Sequence, residues 1–190
     1  MSIVLVGSTS GSVTLQEPAI AGSTVLTLPA VSGTVLTTGS SGQSIPRAAL
    51  PTGSVLQVVS ASTATITSTT STSYVDCTGI TASITPTSAT SKILVLITAS
   101  GLYKASVSVQ GVSLRILRGA SEIAAQINNM YSSTQFDFVT ESGFVYLDSP
   151  ATTSSTTYKL QIRARVSGTV QINQDNGSDV STITLMEIAA

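Results

Sequence analysis

"YKLQIRARV" (Tyr158–Val166) decides the fold class. Its side chains alternate without a break. Leu160, Ile162, Ala164 and Val166 fall on one side, and Lys159, Gln161, Arg163 and Arg165 on the other. A period of two marks a β-strand with one buried face and one wet face, because successive side chains of a pleated strand point opposite ways. The surrounding chain reads the same way. "VSLRILRG" followed by "SEIAAQI" forms a hairpin turning at Gly119-Ala120, and "GFVYLDS" gives a short strand. "TVQINQ" and "VSTITLMEI" flank "DNG", where Asn176-Gly177 suits the positive φ of a type I′ turn. Further upstream come "SVLQVVSAS", "ATITSTT" and "SYVDCTGITASITPTS", the last holding two strands around a turn at Gly79. "KILVLITASGLY" is apolar throughout, as expected of a strand covered on both faces. About ten short strands at regular spacing predict an all-β, jelly-roll-like β-sandwich head over residues 54–190.

Composition supports that reading. Ser and Thr make up about a third of the 190 residues, while Asp, Glu, Lys and Arg make up 9%, against roughly 25% in ordinary soluble domains. Thr, Val and Ile suit a pleated surface, and good helix formers are scarce. The formal charge of −1 provides no electrostatic footprint for nucleic acid or an anionic membrane. Few charges need desolvating when such surfaces meet, which favours association. The front end, "MSIVLVGSTSG", lacks the basic region and long apolar core of a signal peptide. "ILVLITA" (Ile93–Ala99) is too short to insert in a membrane.

Ahead of the head lies a ribbon, residues 1–38, joined by a Gly/Ser/Pro-rich linker, residues 39–53. "GSVTLQEPAIA" aligns with "GSTVLTLPAVS" at a period of eleven, and "GTVLTTG" begins a truncated third copy. Each copy gives one short strand ended by Pro or Gly. Three such strands cannot cover both their faces, so the ribbon must be completed by another surface. It reads as an attachment and oligomerisation arm. Its candidate contacts are Val13, Leu15 and Pro18 in the first copy, Val25, Leu26, Leu28 and Pro29 in the second, and Val35 and Leu36 in the third.

Two stretches carry a family resemblance. "GSTSGSVTLQEPAIAGSTVLTLPAVSGTVLTTGS" resembles N-terminal segments of tailed-phage fibre-like and virion-surface proteins. "SVLQVVSASTATITSTTSTSYVDCTGITASITPTSATSKILVLITASG" is similar to heads of phage tail and virion proteins, in which a Thr/Ser-rich hairpin precedes "TP-S-TSKILV". Together they span about half of the chain. The resemblance implies a structural protein on the exterior of a phage particle, made in the host bacterial cytoplasm and assembled as a homotrimer. A tail or neck fibre is the leading expectation, with a capsid decoration (cement) protein as the alternative. A carbohydrate-binding receptor module is the third reading. Partners would be sister chains, other virion proteins (portal, neck, tail or major capsid protein) and a host surface glycan.

Catalysis is not expected. The chain has no His, hence neither the commonest general base nor the commonest transition-metal ligand. Asp137 and Glu141 lie four apart in "DFVTES" and would share a strand face, yet ordinary edge charge accounts for them. No Gly-x-Ser-x-Gly elbow accompanies the many serines. "NQDNGSD" (Asn173–Asp179) gathers oxygen donors, but its glycine sits one place early for a calcium loop, so a plain hairpin turn is preferred. No cofactor or metal is expected. Cys77 alone can form neither an intrachain disulfide nor a cysteine cluster, and reads as a small buried hydrophobe. "QINNMYSSTQFDF" (Gln126–Phe138) is the most irregular head segment. Its Asn128, Asn129, Tyr131, Gln135, Phe136 and Asp137 offer the amides, carboxylate and rings that grip sugars. Lys159, Arg163 and Arg165 share one strand face, read as solvated or as ion-pairing across a subunit interface.

Overall fold

The computed structural model describes residues 3–6, 9, 10, 12–15, 50–175 and 177–190. The chain divides into two units, Met1–Ser44 and Ile45–Ala190. In the first, β1 (Ile3–Val6) pairs antiparallel with β2 (Ser12–Leu15), opposing Leu5 to Val13 and Ile3 to Leu15. The segment "IVLV", given no strand by sequence, therefore partners the first ribbon copy. Pro18, Val25, Leu26, Leu28, Pro29, Val35 and Leu36 lie outside the described residues, as does residues 39–49 of the linker.

The second unit contains ten strands: β3 (Val55–Thr63), β4 (Thr67–Thr69), β5 (Val75–Ile84), β6 (Lys92–Lys104), β7 (Gln110–Arg118), β8 (Ser121–Ser132), β9 (Phe138–Asp148), β10 (Thr156–Ala164), β11 (Val170–Ile172) and β12 (Ser181–Ile188). No helix occurs among the described residues. All pairings are antiparallel. One sheet runs β5-β10-β7-β8. In the other, β6 is flanked by β9 on one side and by β12 followed by β11 on the other, with β3 and β4 outside them. Taking β3 with β4 and β11 with β12 as single rows leaves eight rows. The first pairs with the eighth, the second with the seventh, the third with the sixth and the fourth with the fifth. That is a long hairpin rolled into two sheets, the jelly roll.

The inward positions of both sheets form one core. Ile93, Val95 and Ile97 of β6 and Ile183 and Leu185 of β12 pack with Leu160 and Ile162 of β10 and Leu114 and Ile116 of β7, all at most 3% exposed. The alternation seen in Tyr158–Val166 is realised along β10: Leu160, Ile162 and Ala164 are buried while Lys159 and Arg163 stay partly exposed. The turn at Gly119-Ala120 joins β7 to β8, with Gly119 at φ +58°. Cys77 is buried in β5, and that burial pushes its thiol far above the usual range, helped by the neighbouring Asp76 charge.

Four local expectations are corrected. Gly79 makes no turn: β5 runs through it, and its φ of +77° opens a bulge where β10 slips register between Lys159 and Gln161. A side chain there would meet Thr63 Cβ at 2.8 Å, so the bulge lets the two sheets close. "DNG" does not close a hairpin either. β11 and β12 are successive parts of one row, both laid against β6, and the described residues between them, 173–175 and 177–180, belong to neither strand, while Asn176 of the expected turn lies outside the described residues. Buried Asn173 pins that excursion at φ +57°: its Nδ2 donates to Thr63 O and Thr65 O, and its Oδ1 accepts from Ser181 Oγ. β9 is not short, because it begins at Phe138 and pairs along β6. Finally, β6 is not covered on both faces within the chain: Leu94 and Leu96, on its outer side, are only partly buried.

Candidate functional site

The rolled topology sorts the connections. Four five-residue links, 70–74, 105–109, 133–137 and 165–169, gather at one end of the sandwich. The opposite end holds links 85–91, 119–120 and 149–155 and both ends of the described unit. There Gly53 N donates to Ala189 O and Ala189 N to Ser54 O, tying the entering chain to its last strand. We call these the loop end and the terminal end.

Aromatic and cationic side chains concentrate at the loop end. Tyr74, Tyr103, Tyr131, Phe136 and Phe138 stand there, out of eight aromatic residues in the chain. Phe136 and Phe138 meet edge to face at 5.9 Å, and Lys104 Nζ lies 4.6 Å from the Phe136 ring centre while donating to Phe136 O. Tyr103 Oη donates to Asp137 Oδ1 at 3.1 Å. Arg165 covers the Tyr131 ring at 4.5 Å. Burial and the Asp137 charge raise the Tyr103 hydroxyl above its ordinary value. Buried Gln110 makes the platform rigid: its Nε2 donates to Val166 O and Gly168 O, and its Oε1 accepts from the backbone N–H of Gly111, Arg165 and Val166. Left-handed backbone at Val109, Asn128 and Met130 adds strain of about 1–3 kcal/mol per residue, a feature that gathers at functional sites.

The segment read from sequence as one long loop divides. Residues 126–132 belong to β8, whose pairing with β7 slips twice between Ser132 and Gln126, and only residues 133–137 are a true connection. Among its candidates, Asn129 is occupied internally, its Nδ2 donating to Gln126 Oε1 and Ser142 Oγ across the edges of the two sheets. Asp137 is held by Tyr103, and Phe136 by Phe138 and Lys104. Tyr131 stays 47% exposed beneath Arg165. Gln135 is exposed and Asn128 partly so. Asp137 immediately precedes β9 while Glu141 lies within it.

A second surface, missed by the sequence reading, covers the outer side of β3, β12, β6 and β9 at the terminal end. Paired outward residues run across the sheet as Val58–Met186–Leu94–Leu147, then Thr184–Leu96–Val145, with Val55 opposite Ile188 beyond. Val58, Val145 and Leu147 are 55%, 77% and 50% exposed. These apolar side chains present on the order of 600 Å², at the upper end for the largest patch on a monomer. Towards the loop end the same face turns polar, with Ser62, Thr182 and Thr98 in line. The signal lay in Leu94 and Leu96, which break the apolar–polar alternation of β6.

The outer face of the other sheet is charged. Asp76 accepts from Lys159 at 2.8 Å and Gln161 at 2.6 Å, and these bonds, Lys159 first, lower its pKa. Arg115 pairs with Glu122 and lies 4.1 Å from the Tyr74 ring centre, which Arg163 approaches to 4.9 Å. Among the described residues no group of acidic, Cys or His side chains is placed to hold a metal.

No protein-family model and no curated protein matches this chain. Among solved structures, the VP2 subviral particle of infectious bursal disease virus is similar over 72% of this chain and 39% of that one, at 15% identity and a TM-score of 0.31. The chain thus spans about two fifths of the length of that protein.

Proposed function

We propose that this chain is a structural subunit of a tailed-phage particle: a homotrimeric tail or neck fibre, anchored by its N-terminal arm, whose jelly-roll head faces outward. The observation that carries the reading is the polarity of the head. The chain enters at the terminal end beside the apolar face, and the aromatic, cationic loops lie at the opposite end. Three copies meeting around one axis would cover one another's apolar faces; these patches alone would bury roughly 600 Å² at each of the three contacts, and surface beside them would bring each contact to the size of a specific interface. The loops would then lie at the end of the head opposite the one where the chain enters. The low charge and hydroxyl-rich surface fit a protein that must persist outside a cell, where slow unfolding matters most. The sequence resemblance to phage fibre and virion-surface proteins agrees.

Deleting residues 1–38 tests the assignment. The truncated head should fold, by circular dichroism and cooperative melting, and fail to appear on virions assembled with it. Decoration of particles by the truncated chain would refute the anchoring role. Copy number on purified wild-type virions separates the fibre, at a few to a few dozen, from a cement protein, at hundreds.

A further inference from the structure

In the proposed trimer each chain enters its head at the terminal end, so three heads hung from one anchor stand side by side with their strands along the axis. Rotation about that axis keeps height along the strands. The apolar rows of one copy therefore meet terminal-end surface of the next, never its loop end. Among the described residues, that height offers two kinds of outer surface. On the β5-β10-β7-β8 sheet stand Glu122, paired with Arg115, and Lys159, paired with Asp76, beside the hydroxyl pair Ser83–Thr157. An apolar face laid there would strip water from both ion pairs and return nothing. On the other sheet stand Val58, Met186, Leu94 and Leu147 in one row, and Leu96 and Val145 beside it, with no charged side chain among them. The apolar face is thus its own best complement.

A three-fold contact is heterologous. A patch cannot meet itself squarely, as it does across a two-fold; one flank must meet the opposite flank of the next copy. This face has two such flanks. Val58 on β3 and Leu147 on β9 stand at its two edges, 55% and 50% exposed, while Met186 and Leu94 between them are partly buried. Three strand intervals of ~4.8 Å put the flanks about 14 Å apart. Adding about 6 Å between the flanking strands of neighbours gives a triangle about 20 Å on a side, with each sheet about 6 Å from the axis, near half the ~10 Å spacing of packed sheets. Side chains the size of Met186 and Leu94 span that distance, so the centre closes without a void.

We propose that β3 of each head seats against β9 of the next, Val58 on Leu147, with Met186 and Leu94 of all three copies closing the centre. The contact, which rests on the trimer reading, is tested by oxidative crosslinking of full-length V58C/L147C. Within one chain the two thiols stand too far apart to bridge, since a disulfide needs Cα atoms within about 7 Å, and buried Cys77 does not compete. The oxidised variant should give a denaturing-gel ladder that ends at three chains, and neither V58C nor L147C alone should crosslink. Charge offers a second readout without oxidation. V58K and L147E should each lower the mass seen by light scattering, and V58K/L147E, which sets Lys against Glu at every contact, should restore the trimer. A ladder ending at two chains, or a bridge formed by V58C alone, would show a two-fold pair and overturn the proposal. A trimeric wild type in which V58C/L147C stays unbridged and V58K/L147E stays dissociated would overturn this contact and leave the trimer standing. A monomeric wild type would remove both.

Discussion

Replacing Val145 with Glu should take the assembly apart while leaving each head folded. Val145 is 77% exposed on the outer face of β9, opposite Leu96 and beside the Leu94–Leu147 pair, so the isolated head loses almost nothing by the change. In the proposed trimer the same position is covered. Burying a valine side chain contributes about 1.5–3 kcal/mol, and that gain is lost. A carboxylate shut into this apolar face, where only Lys92 stands at the margin, costs several kcal/mol more. Together these amount to about 4 kcal/mol or more per copy, at least a thousandfold in dissociation constant. Light scattering of the full chain at micromolar concentration should report a trimer for wild type and a monomer for V145E. The wild-type melting midpoint should rise with protein concentration and that of V145E should not. V145T, which keeps the shape without a charge, should stay trimeric. A monomeric wild type, or a V145E protein unchanged in both mass and midpoint, would refute the covered-face argument.

Three further outcomes follow from buried groups. Glu187, fully buried at the terminal end, accepts from Thr87 N–H, Thr87 Oγ1 and Gln57 Nε2; burial alone would raise its pKa, but these bonds outweigh it and hold the carboxyl below its ordinary range. A lowered folded-state pKa gives stability that is complete above the unfolded value and drains away as pH falls through the folded one. Urea midpoints should therefore drop between pH 5 and pH 3 in wild type and drop less in E187Q, which should lose about 2 kcal/mol at pH 7. Asp148, 5% exposed, accepts from Tyr158 Oη and from Arg118 and so joins β9 to β10 and β7; D148A should cost about 2–3 kcal/mol in urea unfolding, and Y158F about 1 kcal/mol. The Cys77 thiol should resist a water-soluble disulfide reagent at pH 8 in the folded chain and react at once in denaturant; fast reaction in the native state would show that β5 opens.

Local pattern carried the strands well and their partners poorly. The alternation of β10, the Gly119-Ala120 turn and the burial of Cys77 are nearest-neighbour properties, written in a few consecutive side chains. The meaning of Gly79 is not, because its bulge answers Thr63 on another strand. Nor is the fate of "DNG": a hairpin and an excursion within one row need the same turn residues, and the choice is made by buried Asn173 reaching Thr63 and Thr65. The loop-end site was half visible. Its residue types stood out in Gln126–Phe138, while Arg165, just past the end of β10 and about thirty residues further on, joins Tyr131 only once the sheet forms.

The strand whose burial was misjudged is the most informative about function. β6 reads as apolar on both faces, and within one chain its outer side, Leu94 and Leu96, is left partly open. Two explanations for such a mismatch compete. Were the outer leucines tolerated at random, their neighbours on the adjacent strands should be the Ser and Thr that dominate this protein. Instead Leu94 meets Met186 and Leu147, Met186 meets Val58, and Leu96, though it meets Thr184 on β12, meets Val145 on β9. One register step beyond Leu96 towards the loop end, the row reads Ser62, Thr182, Thr98 and Gly143. An apolar block spanning four strands that are distant in sequence and confined to the end where the chain enters is hard to obtain without a surface that covers it. In the proposed trimer sister chains supply that surface, and the apolar pattern of β6 then matches the assembled state rather than the single chain.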